Sequence, residues 1–186
     1  EILRDLSFAV ARRERVAIIG PNGAGKTTLL NCINRILRGG RGRIAVGGRP
    51  LAHYGQAELA RRIAYVPQHD GRTAPFTVRE FVEMSRYPHL GPLAPARPTD
   101  AAAVRQALDD IGAAALADRP LDALSGGERQ KAFLAAALAQ EAEILLLDEP
   151  TAHLDPPHRA EILRTLGRDL GPHVGGAAGG RAVRGA

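Results

Sequence analysis

The sequence predicts an α/β fold, and three observations carry this prediction. Apolar runs of strand length occur at 16–19, 63–66 and 144–147, and such runs are typical of buried strands. Helical apolar spacing appears between them, for example over 77–86. A glycine-rich turn joins the first run to a predicted helix at about 26–37, which forms a strand–turn–helix unit.

The N-terminal third is predicted to hold strands around one helix. Loose alternation of apolar residues over Ile2–Val10 indicates a strand or hairpin arm. Arg43–Val46 is predicted as another short strand, closed by a Gly-Gly turn at 47–48. Gln56–Arg62 is predicted as a short helix, and Pro67 ends the strand that follows it.

Residues 70–123 change character, because Pro75, Pro88, Pro92, Pro95 and Pro98 separate helical pieces there. One helix is predicted at 77–86, and another begins with Thr99 as its N-cap. An alanine- and leucine-rich helix is predicted at 126–139, and Pro156–Leu166 is helical with prolines in its first turn. This middle region therefore has the pattern of a helical subdomain.

The periodic pattern stops after residue 166. Residues 167–186 are rich in glycine, alanine and arginine, with Leu170, Val174 and Val183 as the sizeable aliphatic residues. Ordering a backbone costs about 1–2 kcal/mol per residue, and so few apolar side chains do not offset that cost. We expect this tail to be disordered or poorly packed.

Composition indicates a soluble domain without a nucleic-acid partner. The 186 residues are 45% hydrophobic and 24% charged, as in ordinary globular proteins. The net charge of +5 comes mostly from scattered arginines, with 4% aromatic residues, unlike a nucleic-acid interface. The longest apolar run is too short to span a bilayer, and no secretory signal opens the sequence. We expect a cytoplasmic protein.

Residues 20–27 read Gly-Pro-Asn-Gly-Ala-Gly-Lys-Thr, the P-loop pattern, between a strand and a helix. Backbone N–H groups of such a loop and the helix dipole bind phosphate. Lys26 reaches the terminal phosphates, and the Thr27 hydroxyl ligates magnesium. The sequence therefore predicts a nucleoside triphosphate site. The predicted binding residues are Gly20, Asn22, Gly23, Ala24, Gly25, Lys26, Thr27 and Thr28.

The apolar run at 144–147 ends in two carboxylates, Asp148 and Glu149, which is the Walker B pattern. On a parallel strand beside the P-loop strand, Asp148 would hold magnesium together with Thr27. Glu149 would face the terminal phosphate and polarise the attacking water as a general base.

A second phosphate-binding pattern opens the helix at 126–139. Its residues are Ser125, Gly126, Gly127 and Glu128, which follow Leu124. A serine and two glycines at a helix start form an anion cradle from backbone N–H groups. The alternative is a simple helix N-cap with a flexible entry.

The order of these motifs resembles the nucleotide-binding subunit of an ABC transporter, over about residues 1–166. The resemblance implies a P-loop NTPase core with an antiparallel β-subdomain and a helical signature subdomain at about 70–140. It implies ATP and Mg²⁺ as cofactors. It also implies that Gln68 contacts the metal and the attacking water, which makes Gln68 catalytic with Lys26 and Glu149.

The same resemblance implies partners. Residues 125–128 would bind the terminal phosphate of ATP held by a second copy, and Asp155 would cross that interface, giving a homodimer in the ATP-bound state. Transmembrane permease subunits would hold the chain at the inner face of the plasma membrane, with a substrate-binding protein as an indirect partner.

One subfamily is closer. Tyr87-Pro88-His89-Leu90-Gly91-Pro92 is similar to a loop of the importers of iron-siderophores, haem and cobalamin. The expected function is ATP binding and hydrolysis that powers such uptake. Two alternatives remain: a soluble ABC ATPase of DNA repair or translation, and an ATP-binding fragment that does not hydrolyse. The former would carry a long heptad insertion or a second cassette, which this sequence lacks.

The sequence departs from the family pattern at three places. No aromatic residue that would stack on adenine precedes Ile2, and Glu128 stands where glutamine is commoner. The strand and histidine expected after 156–166 are replaced by the glycine-rich tail. We therefore expect a chain truncated at both ends that hydrolyses ATP slowly.

Overall fold

The computed structural model describes residues 2–68, 75–90 and 95–150, and the backbone of 181–184. These belong to two compact units. The N-terminal unit comprises Glu1–Gly42 and Leu166–Ala186, and the central unit comprises Arg43–Thr165. The P-loop lies in the first unit, whereas the Walker B and signature residues lie in the second.

The N-terminal unit is built on a strand–loop–helix element. Strand β1 (Val16–Ile19) leads into the P-loop, and helix α1 (Lys26–Ile33) follows it. This confirms the predicted order, but α1 ends several residues before 37. Asn34 is the C-cap, and Arg35 adopts a φ of 59° that is incompatible with a continuing helix.

Strand β6 (Arg181–Arg184) pairs with β1 in parallel, with Val16 opposite Arg181. The prediction of a tail without a strand is therefore wrong for these four residues. Backbone pairing with a neighbouring strand requires no side-chain period, so a four-residue segment with two arginines leaves no sequence signal. The rest of the 167–186 prediction lies outside the described residues.

The strand predicted over Ile2–Val10 is absent, since residues 2–10 form no regular element. Ile2 and Val10 are 67% and 50% exposed. An alternating pattern produces a strand only where the fold buries one face of it. Ile2 and Val10 are not buried, so the pattern has no such effect here.

The central unit opens with a small antiparallel hairpin. Strands β2 (Ala45–Val46) and β3 (Arg49–Pro50) pair with Val46 opposite Arg49. Gly47 and Gly48 have φ values of 55° and 78°, as a two-residue hairpin turn of the primed type requires. The predicted strand at 43–46 and its turn are confirmed, although the strand is shorter.

A parallel strand pair follows. Helix α2 (Gln56–Ala60) precedes strand β4 (Ile63–Val66), which pairs with β5 (Ile144–Leu147). Ile63 lies opposite Ile144. Both strands match the sequence prediction. The predicted neighbour of β5, the P-loop strand, belongs to the other unit, and that placement stays a prediction.

Three helices form the predicted helical subdomain: α3 (Val78–Met84), α4 (Pro98–Asp110) and α5 (Gly126–Ala139). Helices α3 and α4 both pack on α5. Buried side chains on these helices include Val78, Val82, Val104, Ala132 and Leu134, each at most 2% exposed. The alanine-rich face of α5 allows the neighbouring helices to approach closely. This packing holds α5 in place and thereby positions the signature residues at the N-terminus of α5.

Helix α4 corrects one sequence prediction. It begins at Pro98 with Arg97 as the N-cap, so Thr99 is inside the first turn. Proline is well suited to the first helical position because its missing N–H would have no partner there. The predicted helix 156–166 and Asp155 lie outside the described residues. None of the described helices is long and apolar enough to cross a membrane.

Arg86 joins the ends of the three helices from a buried position at the end of α3. Its guanidinium donates to Asp100 Oδ1 at 3.0 and 3.1 Å, to the Ala139 carbonyl at 2.6 Å, and to Glu141 at 2.7 Å. Asp100 is 1% exposed and lies in the first turn of α4, whereas Ala139 is the last residue of α5. A cation at this helix end is also favoured by the helix dipole.

We expect Asp100 to make the stability of the chain depend on acid pH. The Arg97 N–H, more than the ion pairs with Arg86 and Arg97, lowers the pKa of Asp100 from 3.8 to about 2. A carboxyl whose pKa is lower when folded stabilises the chain above its unfolded pKa, and this contribution disappears as the pH falls through its folded pKa. Between pH 4 and 2, the thermal midpoint of the parent chain should therefore fall more than that of Asp100→Asn.

The matched control for this measurement is Asp122→Asn, because Asp122 is exposed. This variant should follow the parent curve. If Asp100→Asn also followed it, the stabilising role of the ionised Asp100 carboxylate would be refuted.

Candidate functional site

The P-loop backbone has the conformation that its glycines predict. Gly23 and Gly25 have φ values of 82° and 86°, which L side chains rarely adopt. A Cβ on Gly25 would also lie 2.9 Å from both Ile2 Cγ2 and Leu3 Cδ2. Gly25 is the N-cap of α1, so the loop delivers the unpaired N–H groups of the first helical turn to one place.

Lys26 lies across its own loop. Its Nζ donates to the carbonyl oxygens of Gly20 and Pro21, both at 3.0 Å. Neither carbonyl neutralises the ammonium group, so the charge remains available for an anion. The neighbouring Thr27 is exposed and presents its hydroxyl at the start of α1.

These features fit a magnesium–triphosphate group. The loop combines first-turn N–H groups, an ammonium group and a threonine hydroxyl, the set that binds phosphates and their metal in P-loop proteins. Of the other predicted binding residues, Asn22 is exposed, and Ala24 and Thr28 are half-buried.

In the central unit, Asp148 follows β5 and is buried, with 3% of its surface exposed. Its Oδ2 accepts a hydrogen bond from the Tyr65 hydroxyl at 3.3 Å, and its N–H donates to the Val66 carbonyl at 3.0 Å. Tyr65 lies opposite Leu146, and residues two apart share one face of a strand. The strand register therefore places the phenol beside the carboxylate.

The Tyr65 phenol is held in its protonated form. Burial, and then the charge of Asp148 and the hydrogen bond to it, raise the pKa of Tyr65 to about 12. The group therefore acts as a hydrogen-bond donor to Asp148 at neutral pH. The sequence analysis did not assign a role to Tyr65. The available signal was its position on a predicted strand, three residues before Gln68.

The same register brings Gln68 to Glu149, which is 81 positions away. Val66 lies opposite Leu147. Gln68 and Glu149 each follow two positions later in their own segments, so they lie near each other. Gln68 Nε2 donates to Glu149 Oε2 at 3.2 Å. Two of the three predicted catalytic side chains are thus in contact.

Glu149 has an unusual backbone conformation. Its φ is 49°, in the left-handed region that residues other than glycine rarely occupy, and its side chain is exposed. Strained backbone of this kind tends to occur at functional sites. This conformation turns the chain sharply after β5 and places the Glu149 carboxylate against Gln68.

The signature residues form a capping box at the start of α5. Ser125 Oγ accepts from the Glu128 N–H at 3.3 Å, and Glu128 Oε2 accepts from the Ser125 N–H at 2.8 Å. The helix-cap alternative is therefore present in the structure. It does not exclude anion binding, because the N–H groups of Gly126 and Gly127 are not used by the box.

Glu128 has a second partner that the sequence did not reveal. Arg119 Nη1 lies 2.7 Å from Glu128 Oε1. The Ser125 N–H, followed by the Ser125 side chain and then Arg119, lowers the pKa of Glu128. The carboxylate is therefore ionised, with a cation beside it.

The donor set of the central unit suits magnesium rather than a protein-enclosed metal. Among the residues that the structure describes, no three His, Cys, Asp or Glu side chains cluster as ligands. Magnesium is often held by one or two carboxylates together with substrate phosphates, and the buried Asp148 side chain is a carboxylate of this kind.

Comparison with known proteins gives a consistent result. Residues 3–152 match the family model described as ABC transporter. The iron(3+)-hydroxamate import ATP-binding protein FhuC of Bacillus subtilis is 38% identical, over 90% of this chain and 62% of that protein. The cobalamin import ATP-binding protein BtuD of Halobacterium salinarum is 44% identical, over 91% of this chain and 42% of that protein.

A solved structure extends the likeness to three dimensions. The dimeric bacterial ABC transporter cassette MJ0796 has a TM-score of 0.79 and 25% identity, covering 91% of this chain and 75% of that chain. The present chain spans about three fifths of the length of FhuC and about two fifths of that of BtuD.

Proposed function

This chain belongs to the ABC transporter family, and from that membership we propose that it is the ATP-binding and ATP-hydrolysing subunit of an importer. The observation that carries the proposal is the contact between Gln68 and Glu149, next to the buried Asp148. Strand register brings these three groups together, and they are the types that metal binding and water activation require.

The residues named above divide the steps of this reaction among them. The P-loop N–H groups and Lys26 bind the phosphates and offset the charge that develops during transfer. Mg²⁺, when bound, neutralises and orients the phosphate oxygens. Thr27, Asp148 and Gln68 would hold it. Glu149 accepts a proton from the attacking water, and Gln68 orients both the carboxylate and the water.

The signature residues act on a second copy in this proposal. Ser125, Gly126, Gly127 and Glu128 face the terminal phosphate of ATP held by the partner, and Asp155 crosses the interface. Support comes from the exposed N-terminus of α5 and from the likeness to a cassette whose structure is dimeric. The ATP-bound state is then a two-fold homodimer.

The cargo class is inferred from relatives. FhuC and BtuD are import ATP-binding proteins for iron(3+)-hydroxamate and cobalamin. We therefore assign this chain to uptake of iron-siderophore, haem or cobalamin. Its partners would be permease subunits and, indirectly, a substrate-binding protein, with the chain on the cytoplasmic face of the inner membrane.

Phosphate release from Mg-ATP by the purified chain tests the enzymatic part of the proposal. We expect slow, magnesium-dependent hydrolysis that Glu149→Gln reduces by at least about 100-fold while ATP binding persists, since general-base catalysis contributes about 10²–10⁴-fold. ATP binding without any hydrolysis by the parent chain would instead identify a non-hydrolysing nucleotide binder. No ATP binding at all would refute the assignment.

We expect Tyr65→Phe to weaken magnesium binding without changing metal-free ATP binding. Loss of one hydrogen bond to a charged group, here a long one, corresponds to about a threefold to tenfold change in affinity. Electron paramagnetic resonance with Mn²⁺ and ATP would measure this directly. We expect weaker magnesium binding because the Asp148 carboxylate would lose the hydrogen bond from Tyr65 and would be less ordered as a metal ligand.

The control is Tyr54→Phe, which removes a hydroxyl that donates to the Val46 carbonyl at 2.7 Å in the same unit. Tyr54→Phe should not change Mn²⁺ affinity. Equal Mn²⁺ affinities in both variants and the parent would show that the Tyr65 hydroxyl does not orient the metal ligand.

A further inference from the structure

We propose that Arg119 is a positioning residue for the signature segment, which holds the Glu128 carboxylate inside the helix cap and offsets its negative charge at the phosphate-binding face. The inference rests on the proposed function, because it concerns how residues 125–128 receive ATP from a second copy. It assigns a role to the one signature position that departs from the commoner glutamine.

Both Glu128 oxygens are occupied within the segment. Oε1 lies 2.7 Å from Arg119 Nη1, and Oε2 accepts from the Ser125 N–H at 2.8 Å. The other guanidinium nitrogen, Arg119 Nη2, donates to the Ala123 carbonyl at 2.8 Å. Arg119 therefore bridges the turn before the signature to the first turn of α5.

This arrangement keeps the carboxylate turned back towards the helix start. A negative charge at an anion-binding helix terminus would repel an incoming phosphate. The Arg119 charge offsets that repulsion, whereas a glutamine at the same position would carry no charge and would need no cation.

The Arg119 backbone is itself anchored. The Val78 N–H donates to the Arg119 carbonyl at 3.0 Å, and Thr77 forms a bridge with Pro120. The neighbouring Asp118 is paired with Arg79 at 3.1 Å. Contacts at the start of α3 therefore fix the backbone position from which the Arg119 side chain reaches Glu128.

The arrangement contributes to binding more than to folding. The Arg119 and Glu128 side chains are 44% and 32% exposed, and ion pairs at such positions add little stability. Arg119→Gln should therefore fold with a thermal midpoint close to that of the parent, so that an effect on nucleotide-dependent association can be measured.

The test compares Arg119→Gln in two backgrounds, with Glu128 intact and with Glu128→Gln. All chains carry Glu149→Gln to block hydrolysis, and sedimentation measures the ATP concentration that gives half-maximal dimer. With Glu128 intact, Arg119→Gln should raise that concentration about tenfold, because the Glu128 carboxylate would lose its contact with Arg119 and could move towards the phosphate. In the Glu128→Gln background the same change should shift it by less than about twofold.

Arg119→Lys gives a second readout, because it keeps the charge but not the two-pronged contact. It should recover part of the loss with Glu128 intact. An equal effect of Arg119→Gln in both backgrounds, or no effect in either, would overturn the inference alone. A Glu149→Gln parent that binds ATP but never dimerises would overturn the proposed dimer, and with it the role of Arg119.

Discussion

Lys26→Ala is expected to weaken ATP binding by at least about 100-fold while leaving the fold intact. Each charge-assisted hydrogen bond from Lys26 to a phosphate contributes about 1.5–3 kcal/mol, and two such bonds correspond to this loss or more. The Lys26 ammonium group contacts only the Gly20 and Pro21 carbonyls of its own loop among the hydrogen-bond partners that the structure describes for it. Its removal should therefore change unfolding little, and calorimetric titration with ATP would measure the affinity.

Lys131→Ala is the matched control, since Lys26 and Lys131 are the two lysines of the chain. It makes the same change of side chain and charge on α5, away from the P-loop sequence. Its ATP affinity should equal that of the parent. A folded Lys26→Ala chain with parental affinity would refute the P-loop assignment.

Arg86→Met is expected to produce the largest loss of stability in the central unit. Removing one partner of a buried ion pair costs about 3–5 kcal/mol in free energy of unfolding, and we expect the lower part of this range because Arg97 still contacts the Asp100 carboxylate. Here Asp100 would lose two guanidinium bonds, and the Ala139 carbonyl would lose its cap at the end of α5. Urea denaturation followed by circular dichroism would measure the loss.

Arg79→Met provides the comparison for that measurement. Arg79 is on α3, the helix that precedes Arg86, and is paired with Asp118, but that pair is exposed, and exposed pairs contribute about 0–1 kcal/mol. The Arg79 variant should unfold near the parent concentration of urea. If Arg86→Met lost no more stability than Arg79→Met, the three helix ends would not depend on the Arg86 contacts.

The predictions that the structure confirms rest on contiguous residues. Strands β4 and β5 and helix α5 have the predicted bounds, because apolar runs and a serine cap act over a few neighbouring positions. The strand predicted over Ile2–Val10 was wrong, since alternation specifies a strand only if other parts of the fold bury one face. Strand β6 was not predicted, because its pairing with β1 is made by backbone hydrogen bonds and requires no periodic pattern of side chains.

By itself, the sequence determined which chemistry the chain carries: a phosphate loop, a strand ending in two carboxylates, and a serine–glycine helix start. Their geometry is local, as the positive φ angles of Gly23 and Gly25 show. Only the tertiary structure decided that Gln68 contacts Glu149, that Tyr65 donates to Asp148, and that Arg119 compensates Glu128. The first two contacts depend on the parallel register of β4 and β5, and the third on the anchoring of Arg119 at the start of α3. Register and anchoring arise from hydrogen bonds between segments far apart in the chain, which no local pattern encodes.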